Sequence, residues 1–337
     1  MKTLKYRHFI VTAATLLAAT APACANDSSA ELSIGGLQFV QTKDVAMESE
    51  DLRISLDRVS VRYLFANTSG KPVTLTVAFP LPDIDLTDAD SLVLPSNDRT
   101  NFVGFETKVD GSPVQFTMDQ RAMVGDKDFT TLLNQLKLSL LPVGDLEIPL
   151  DNLPAAARSQ LLAEKLVLPN GNLDQKGHEQ YAAAWTTKTS AVRQQTFPAD
   201  RKTVVEHQYH PSVGSAPDTI LRAPLRGSQG LASEIKRYRK DYCISDAFLA
   251  ELDKRAGTGE GNVAMLQERR ISYVLKTGAN WAGPIKSFKL TIDAGGGDRL
   301  ISFCAGPLKA ASPAATEFTA ADFKPDRDLN ILIIGKF

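Results

Sequence analysis

The chain has 337 residues, with 38 Lys and Arg against 39 Asp and Glu and a formal net charge of −1. A balance this close to zero lacks the cation excess that non-specific nucleic-acid binding needs, so no nucleic-acid partner is expected. The length fits two domains of roughly 150 residues and can bury a sizeable core without staples.

The N-terminus reads as an export signal. Met1 to Arg7 carries Lys2, Lys5 and Arg7, Phe9 to Ala19 is apolar and Ala-rich, and Ala23-Cys24-Ala25 fits the small-x-small cleavage pattern. The expected cut follows Ala25 and leaves a mildly acidic mature chain from Asn26. A lipoprotein signal modified at Cys24 fits less well, because Ala21 and Pro22 stand where a branched apolar and a small residue are usual. The apolar run is shorter than the roughly 20 residues a spanning helix needs. The expectation is a periplasmic or secreted protein with no membrane span after signal cleavage. Cleavage leaves Cys243 and Cys304, which in an oxidising compartment are expected to form one disulfide.

Three short strands are predicted first, around Phe39-Val40, Lys43 to Glu48 and Leu52 to Leu56. Val59, Val61, Tyr63 and Phe65 then alternate with Ser60, Arg62 and Leu64, and Val73, Leu75, Val77 and Phe79 alternate with Thr74, Thr76 and Ala78. Period-two runs predict strands with one buried face. The polar Asn67 to Pro72 between them predicts a turn, and hence an antiparallel hairpin. Pro80 and Pro82 stop the second strand. Asp83, Asp85, Asp88 and Asp90 follow. Alternating carboxylates suit Ca²⁺, but the stretch lacks the glycine and terminal glutamate of the common calcium loop, so a solvated acidic loop is expected. Asp110-Gly111 signals a further hairpin, with Val114 to Met118 returning.

The pattern turns helical from Asp128 to Leu138 and again from Ala155 to Lys165, with Asp151 as the second helix's cap and Pro154 in its first turn. Pro169 to Asn172 reads as a loop and His178 to Ala184 as a short helical turn. Strands return at Ala184 to Phe197 and Lys202 to His210. Ser212 to Gly230 reads as a loop, Leu231 to Tyr242 and Asp246 to Arg255 as helices. The closing strands are Glu268 to Lys276, Ile285 to Asp293, Leu300 to Cys304 and Asp328 to Gly335, the last so continuously apolar that burial on both faces is expected.

The fold class expected is all-β with helical insertions: two antiparallel, immunoglobulin-like β-sandwich domains. The divisions are a signal at 1–25, an N-terminal sandwich at 26–123, a mainly helical insertion at 124–184, and a C-terminal sandwich at 185–337 with its own helical insertion near 231–255.

Candidate sites are sparse. His207-x-x-His210 offers two metal nitrogens, but residues three apart on a strand point to opposite faces, and no third ligand is near. Trp185 and Trp281 are the only tryptophans; they serve either as stacking platforms for a ligand such as a sugar or as core packing. No G-x-S-x-G elbow occurs. Gly295-Gly296-Gly297 is not followed by a helix or by Lys-Ser/Thr, so no phosphate cradle and no cofactor are expected. Lys236 to Lys240 is a basic run that reads as a solvated helix face.

Several stretches carry a resemblance. Asn26 to Leu32 with Gly35-Gly36-Leu37, Val59-x-Val61-x-Tyr63 and Ala78-Phe79-Pro80-Leu81-Pro82-Asp83 resemble a family of exported bacterial proteins described only as a domain of unknown function. Thr196-Phe197-Pro198-Ala199, Tyr242-Cys243 and Asn280-Trp281 with Pro284-Ile285 before Phe288 extend it over nearly the whole mature chain. The resemblance implies no catalytic residue. A fainter similarity, through Phe79 to Pro82 and Val109-Asp110-Gly111, is to the sandwich domain beside vault and inter-alpha-trypsin modules. It bears on fold alone.

Two functions are consistent with these readings. The first is a non-enzymatic periplasmic module that binds an envelope protein, an envelope component or a small ligand. The second is an exported hydrolase with a dispersed site, acting on a cell-envelope polymer. Carboxylates converging in one cleft would favour the second.

Overall fold

The computed structural model describes residues 28–33, 36–142, 146–256, 265–296, 298–304, 309–312 and 315–337. The expected signal, the glycine-rich turn from Gly257 to Gly261 and the side chain of Asp90 lie outside the described residues.

The strands in chain order are β1 (Ser28–Ser33), β2 (Gly36–Phe39), β3 (Val45–Ser55), β4 (Val59–Asn67), β5 (Val73–Pro80), β6 (Ile84–Asp85), β7 (Leu92–Val93), β8 (Glu106–Val109), β9 (Ser112–Pro113), β10 (Thr117–Val124) and β11 (Lys127–Asp128). There follow β12 (Val167–Leu173), β13 (Glu179–Ala183), β14 (Thr186–Phe197), β15 (Lys202–Tyr209), β16 (Val213–Ala216), β17 (Gln267–Tyr273), β18 (Ile285–Asp293), β19 (Leu300–Phe303), β20 (Lys309–Ser312), β21 (Ala315–Phe323) and β22 (Leu329–Gly335). The α-helices are α1 (Thr130–Gln135), α2 (Ala155–Ala163), α3 (Ala223–Arg226), α4 (Ala232–Asp241) and α5 (Asp246–Ala256). The protein is mostly β, as its alternation predicts.

Three large sheets carry the fold. One runs β11-β10-β14-β5-β1-β2, with β6 also on β14; a second runs β20-β21-β18-β3-β4-β15-β8-β9; a third runs β19-β22-β17-β16-β7. Strands from before residue 123 and after residue 185 share all three, so the two expected sandwiches exchange strands. In the second sheet β18 lies parallel to β3, from Ser287 opposite Ser49 to Asp293 opposite Ser55.

The central pair is where expectation and structure part. β4 buries one face, with Val59, Tyr63 and Phe65 fully buried; β5 buries Val77 and Phe79 as expected and also Ala78 and Pro80 on its other face. The two strands do not form a hairpin. β4 pairs with β3 and β15, whereas β5 pairs with β14 and β1. The link from Thr68 to Pro72 is a corner that carries the chain from one sheet to another. Asn67 fixes it by donating to the carbonyls of Lys71 and Phe197 at 2.7 and 2.9 Å. The same alternation serves either arrangement, because it records which face is buried and not which neighbour is bonded.

Other differences are local. α1 is shorter than expected because Lys137 adopts φ 57°, which ends the turn. Pro154 directly precedes α2, and Asp151 sits in an earlier single turn where it pairs with Arg158 at 3.2 Å, so it caps nothing. Residues 179–183 form strand β13, not a helical turn, because β12 supplies an edge to pair with; the expected loop at Pro169 to Asn172 is a bulge in that partner. The expected loop from Ser212 to Gly230 contains β16 and α3. The Asp110-Gly111 turn forms as expected, with φ of 48° and 80°, but β9 is brief and the chain then crosses sheets to β10.

β22 explains its continuous apolar run. Ile331 and Ile333 face the main core, while Leu332 and Ile334 face a second core built with Ile235, Tyr238, Leu249 and Leu252 of α4 and α5. Full burial of each such side chain contributes about 1.5–3 kcal/mol. The Cys243–Cys304 disulfide forms as expected, with Cα atoms 5.1 Å apart, and ties the end of α4 to the end of β19. Among the described residues no helix is long and apolar enough to cross a membrane.

Candidate functional site

The site begins where two prolines stop β5. Neither can donate to a ladder. Leu81 between them is buried and donates its N–H to the Thr189 carbonyl at 2.8 Å, so Pro80 and Pro82 are held against β14. The chain then turns Asp83 toward Lys188, with a carboxylate–ammonium distance of 3.3 Å. On β10 and β14 the pairs Asp119–Ser190 and Arg121–Lys188 lie side by side. Alternation puts these four side chains on one face of the sheet.

The third sheet forms the opposite wall. Ser272 of β17 is registered with Asn330 of β22, and its hydroxyl donates to the Asn330 Oδ1 at 3.0 Å. Asp328 stands just before β22. Its Oδ1 accepts the backbone N–H groups of Leu275 and Lys276 at 3.2 and 3.1 Å, fixing the turn that follows β17. Between the walls is a cleft of about 340 Å³. Phe39, Pro80, Pro82 and Val274 give it apolar surface, and Tyr273 closes its floor. The Tyr273 hydroxyl lies 3.1 Å from that of Tyr63, deep in the core.

The cleft perturbs its charged groups. Although the Asp83 side chain is 37% exposed, the protein packed around it raises its carboxyl above the ordinary value by partial desolvation, and Lys188 pulls the other way. Burial likewise raises Asp328, opposed by the two backbone N–H groups and by Lys276, and reinforced by the negative charge of Asp83. Burial pulls Arg121 down, but its bonds to Asp119 at 3.0 Å and Asp128 at 2.9 Å outweigh this and hold the guanidinium above its usual range.

The residues singled out from sequence lie elsewhere. Trp185 is 1% exposed, and its indole N–H donates to the Leu140 carbonyl at 2.8 Å. Trp281 is 3% exposed and packs on Phe65 and Phe197, with ring centroids 4.5 and 5.8 Å away. Neither presents a ring face to solvent, so the platform role is corrected to core packing. His207 is buried among Tyr63, Phe79 and Phe105, at ring distances of 5.7, 5.0 and 5.0 Å. His210 is exposed, with its Nδ1 2.7 Å from the Asp57 carbonyl oxygen. One imidazole is buried within β15 and the other is exposed just beyond its end, and neither belongs to the ligand group that converges among the described residues. The basic run of α4 is only partly solvated: Tyr238 is buried and donates to Glu268 at 2.7 Å.

Sequence reasoning missed Arg121, Lys188 and Asp328; it read Asp83 as part of a solvated acidic loop, and Asp83, Asp85 and Asp88 are indeed exposed, with Asp83 at the cleft's rim. A signal existed for Asp83 alone: the Pro-x-Pro break fixes the direction in which the chain leaves the sheet. Among the described residues, Asp151, Asp174 and His178 bring one ligand atom each to within 4.8 Å of one another. Asp174 and His178 share a turn already organised by Asp174, which accepts the N–H groups of Lys176 and His178 at 2.8 Å each, and Asp151 approaches from the single turn before α2.

The family model for a domain of unknown function, DUF4424, matches residues 25–332. The chain belongs to that family. No curated protein matches it. Among solved structures, a Legionella pneumophila protein classed as nutrient binding is similar over 92% of this chain and 70% of its own, at 15% identity and a TM-score of 0.44. An M1 zinc metallopeptidase from Deinococcus radiodurans is similar over 87% of this chain and 43% of its own, at 10% identity and a TM-score of 0.23. Neither likeness is close enough to carry a function across.

Proposed function

We propose that this DUF4424 chain is exported and acts outside the cytoplasm as a non-enzymatic binding module, with its ligand seated in the cleft between the first and third sheets. The observation that carries this reading is the cleft itself. Its volume of about 340 Å³, with an apolar patch at Phe39, Pro80, Pro82 and Val274 beside charged and hydroxyl-bearing side chains, suits a small polar ligand with an apolar part. The rest of the protein supports such a role. The walls belong to sheets cross-linked through one core, so the cleft is preformed and binding costs little ordering.

The test is retention from a low-mass periplasmic extract. Mature chain is incubated with the extract, desalted, denatured, and the released small molecules are identified by mass spectrometry. Ser272→Phe places an aromatic ring in the cleft and should abolish retention while leaving the far-UV circular dichroism unchanged. Equal retention by both proteins would remove the cleft from consideration.

One observation favours the hydrolase alternative. Asp83 and Asp328 line one cleft, and both are raised toward the range of a general acid. Against it, each carboxylate already has a structural task, Asp83 with Lys188 and Asp328 with the turn after β17. Release of soluble fragments from purified envelope polymer, lost in Asp83→Asn, would replace the binding reading.

A further inference from the structure

The geometry points to a particular ligand class for this cleft: a small molecule with a protonated amine beside an apolar body, its amine seated at Asp328 and Asp83. This inference rests on the cleft-binding reading.

Three carboxylates, Asp83, Asp119 and Asp328, line the cleft against two cations, Arg121 and Lys188. Both cations are already committed. Arg121 holds Asp119 at 3.0 Å and also Asp128 at 2.9 Å, and Lys188 holds Asp83 at 3.3 Å. Among the described residues that line the cleft, no cation is left over to receive an anionic ligand. Asp328 is in the opposite position. Its Oδ1 takes two backbone N–H groups, and among the described residues no side-chain cation forms an ion pair with it. A half-buried carboxylate with no cation in direct contact, balanced only by the more distant charge of Lys276, is costly, and a ligand cation would relieve it.

A bare metal ion fits less well. A hard cation needs several oxygens aimed at one point. Among the described residues the group that converges in this way is Asp151, Asp174 and His178, away from the cleft. The cleft carboxylates are spread along its walls, as suits an extended organic cation. Phe39, Pro80, Pro82 and Val274 then provide surface for an apolar body.

The charge logic also sets a pH dependence. The groups facing Asp328 are Asp83 from the segment after β5, Lys276 from the turn after β17, and Lys188, Arg121 and Asp119 on the opposite wall. A proton on Asp328 competes with the ligand amine. Because burial raises this carboxyl, amine affinity should increase as pH rises through its raised value.

The experiment is calorimetric titration of the mature chain with phenethylamine, phenethyl alcohol and phenylpropionate. The three share an aromatic body and differ in charge. Calcium chloride is a fourth titrant. Phenethylamine should bind most tightly. Asp328→Asn, which keeps the Oδ1 acceptor for the turn, should weaken it about tenfold or more and change the alcohol by less than about twofold. Phenylpropionate or calcium binding as tightly as the amine, or an amine affinity indifferent to Asp328→Asn, would overturn the inference. In either case the cleft reading survives if Ser272→Phe still blocks retention from extract. If none of the four binds, the ligand class is wrong; if Ser272→Phe also has no effect on extract retention, both readings fall.

Discussion

Removing the Cys243–Cys304 bridge should cost this protein about 3–4 kcal/mol, most of it felt in α4 and α5. The bridge joins residues with a sequence separation of 61, for which loop-closure entropy gives about 14 cal/mol/K, or about 4 kcal/mol at 25 °C. A correction runs the other way. Cys243 holds φ 52°, a left-handed conformation that costs a non-glycine residue about 1 kcal/mol, and part of that returns if the residue relaxes. The bond from the Ser302 hydroxyl to the Tyr242 carbonyl, 2.8 Å, lies beside the bridge and is too weak to replace it. The comparison is urea unfolding of the oxidised protein against Cys243→Ala/Cys304→Ala. The midpoint should fall, and the slope should rise as the unfolded chain loses its cross-link. Hydrogen exchange should show α4 and α5 losing protection first, while β4 amides stay protected. A loss below about 1 kcal/mol, or uniform loss of protection, would show that the second core holds the helices without the covalent tie.

Three further outcomes are expected. Trp185→Ala should cost about 3–5 kcal/mol, since it empties a site only 1% exposed and removes the donor to Leu140, whereas Trp185→Phe should cost about 1–2 kcal/mol; thermal unfolding separates the two. Glu268 is 1% exposed and accepts from Tyr238 beside Arg270, so Glu268→Leu, which strands the arginine, should cost about 3 kcal/mol and Glu268→Gln about 1 kcal/mol in urea unfolding. For pH, the raised Asp328 binds its proton more tightly folded than unfolded. Wild type should therefore lose stability as pH rises from the unfolded carboxylate value through the raised folded one, and Asp328→Asn should gain on it over that rise; a constant difference throughout would refute the assigned burial.

What the sequence disclosed was burial. Val59, Tyr63, Phe65, Val77 and Phe79 are as buried as their alternation predicts, and β22 is covered on both faces as its apolar run predicts. Partner choice was not legible. β4 and β5 are separated by a short polar link, and proximity favoured a hairpin, yet each takes a distant partner over eight registered pairs, β15 and β14. A long ladder of cross-strand apolar pairs outweighs the entropy of closing a long loop, because that entropy grows only with the logarithm of loop length. Trp185 and Trp281 were ambiguous for a different reason: an aromatic ring has the same sequence signature in a core as on a platform.

The site was illegible for a reason that follows from the same partner choice. Its walls come from residues 80–83, 119–121, 188–190, 272–274 and 328–330, and no two of these stretches are close in sequence. They meet only because β5 pairs with β14 and β17 pairs with β22. Had β4 and β5 formed the expected hairpin, Lys188 would not stand beside Asp83, and Asp328 would face a different wall. Strand exchange between the two halves is thus the condition for the cleft as well as the fold. A fragment ending near residue 123 would lack β14, β15 and β22, and with them both a completed core and the opposite side of the site. Binding and folding in this chain therefore depend on the same long-range pairings, so a substitution that weakens those ladders should lower ligand affinity even when it touches no residue of the cleft.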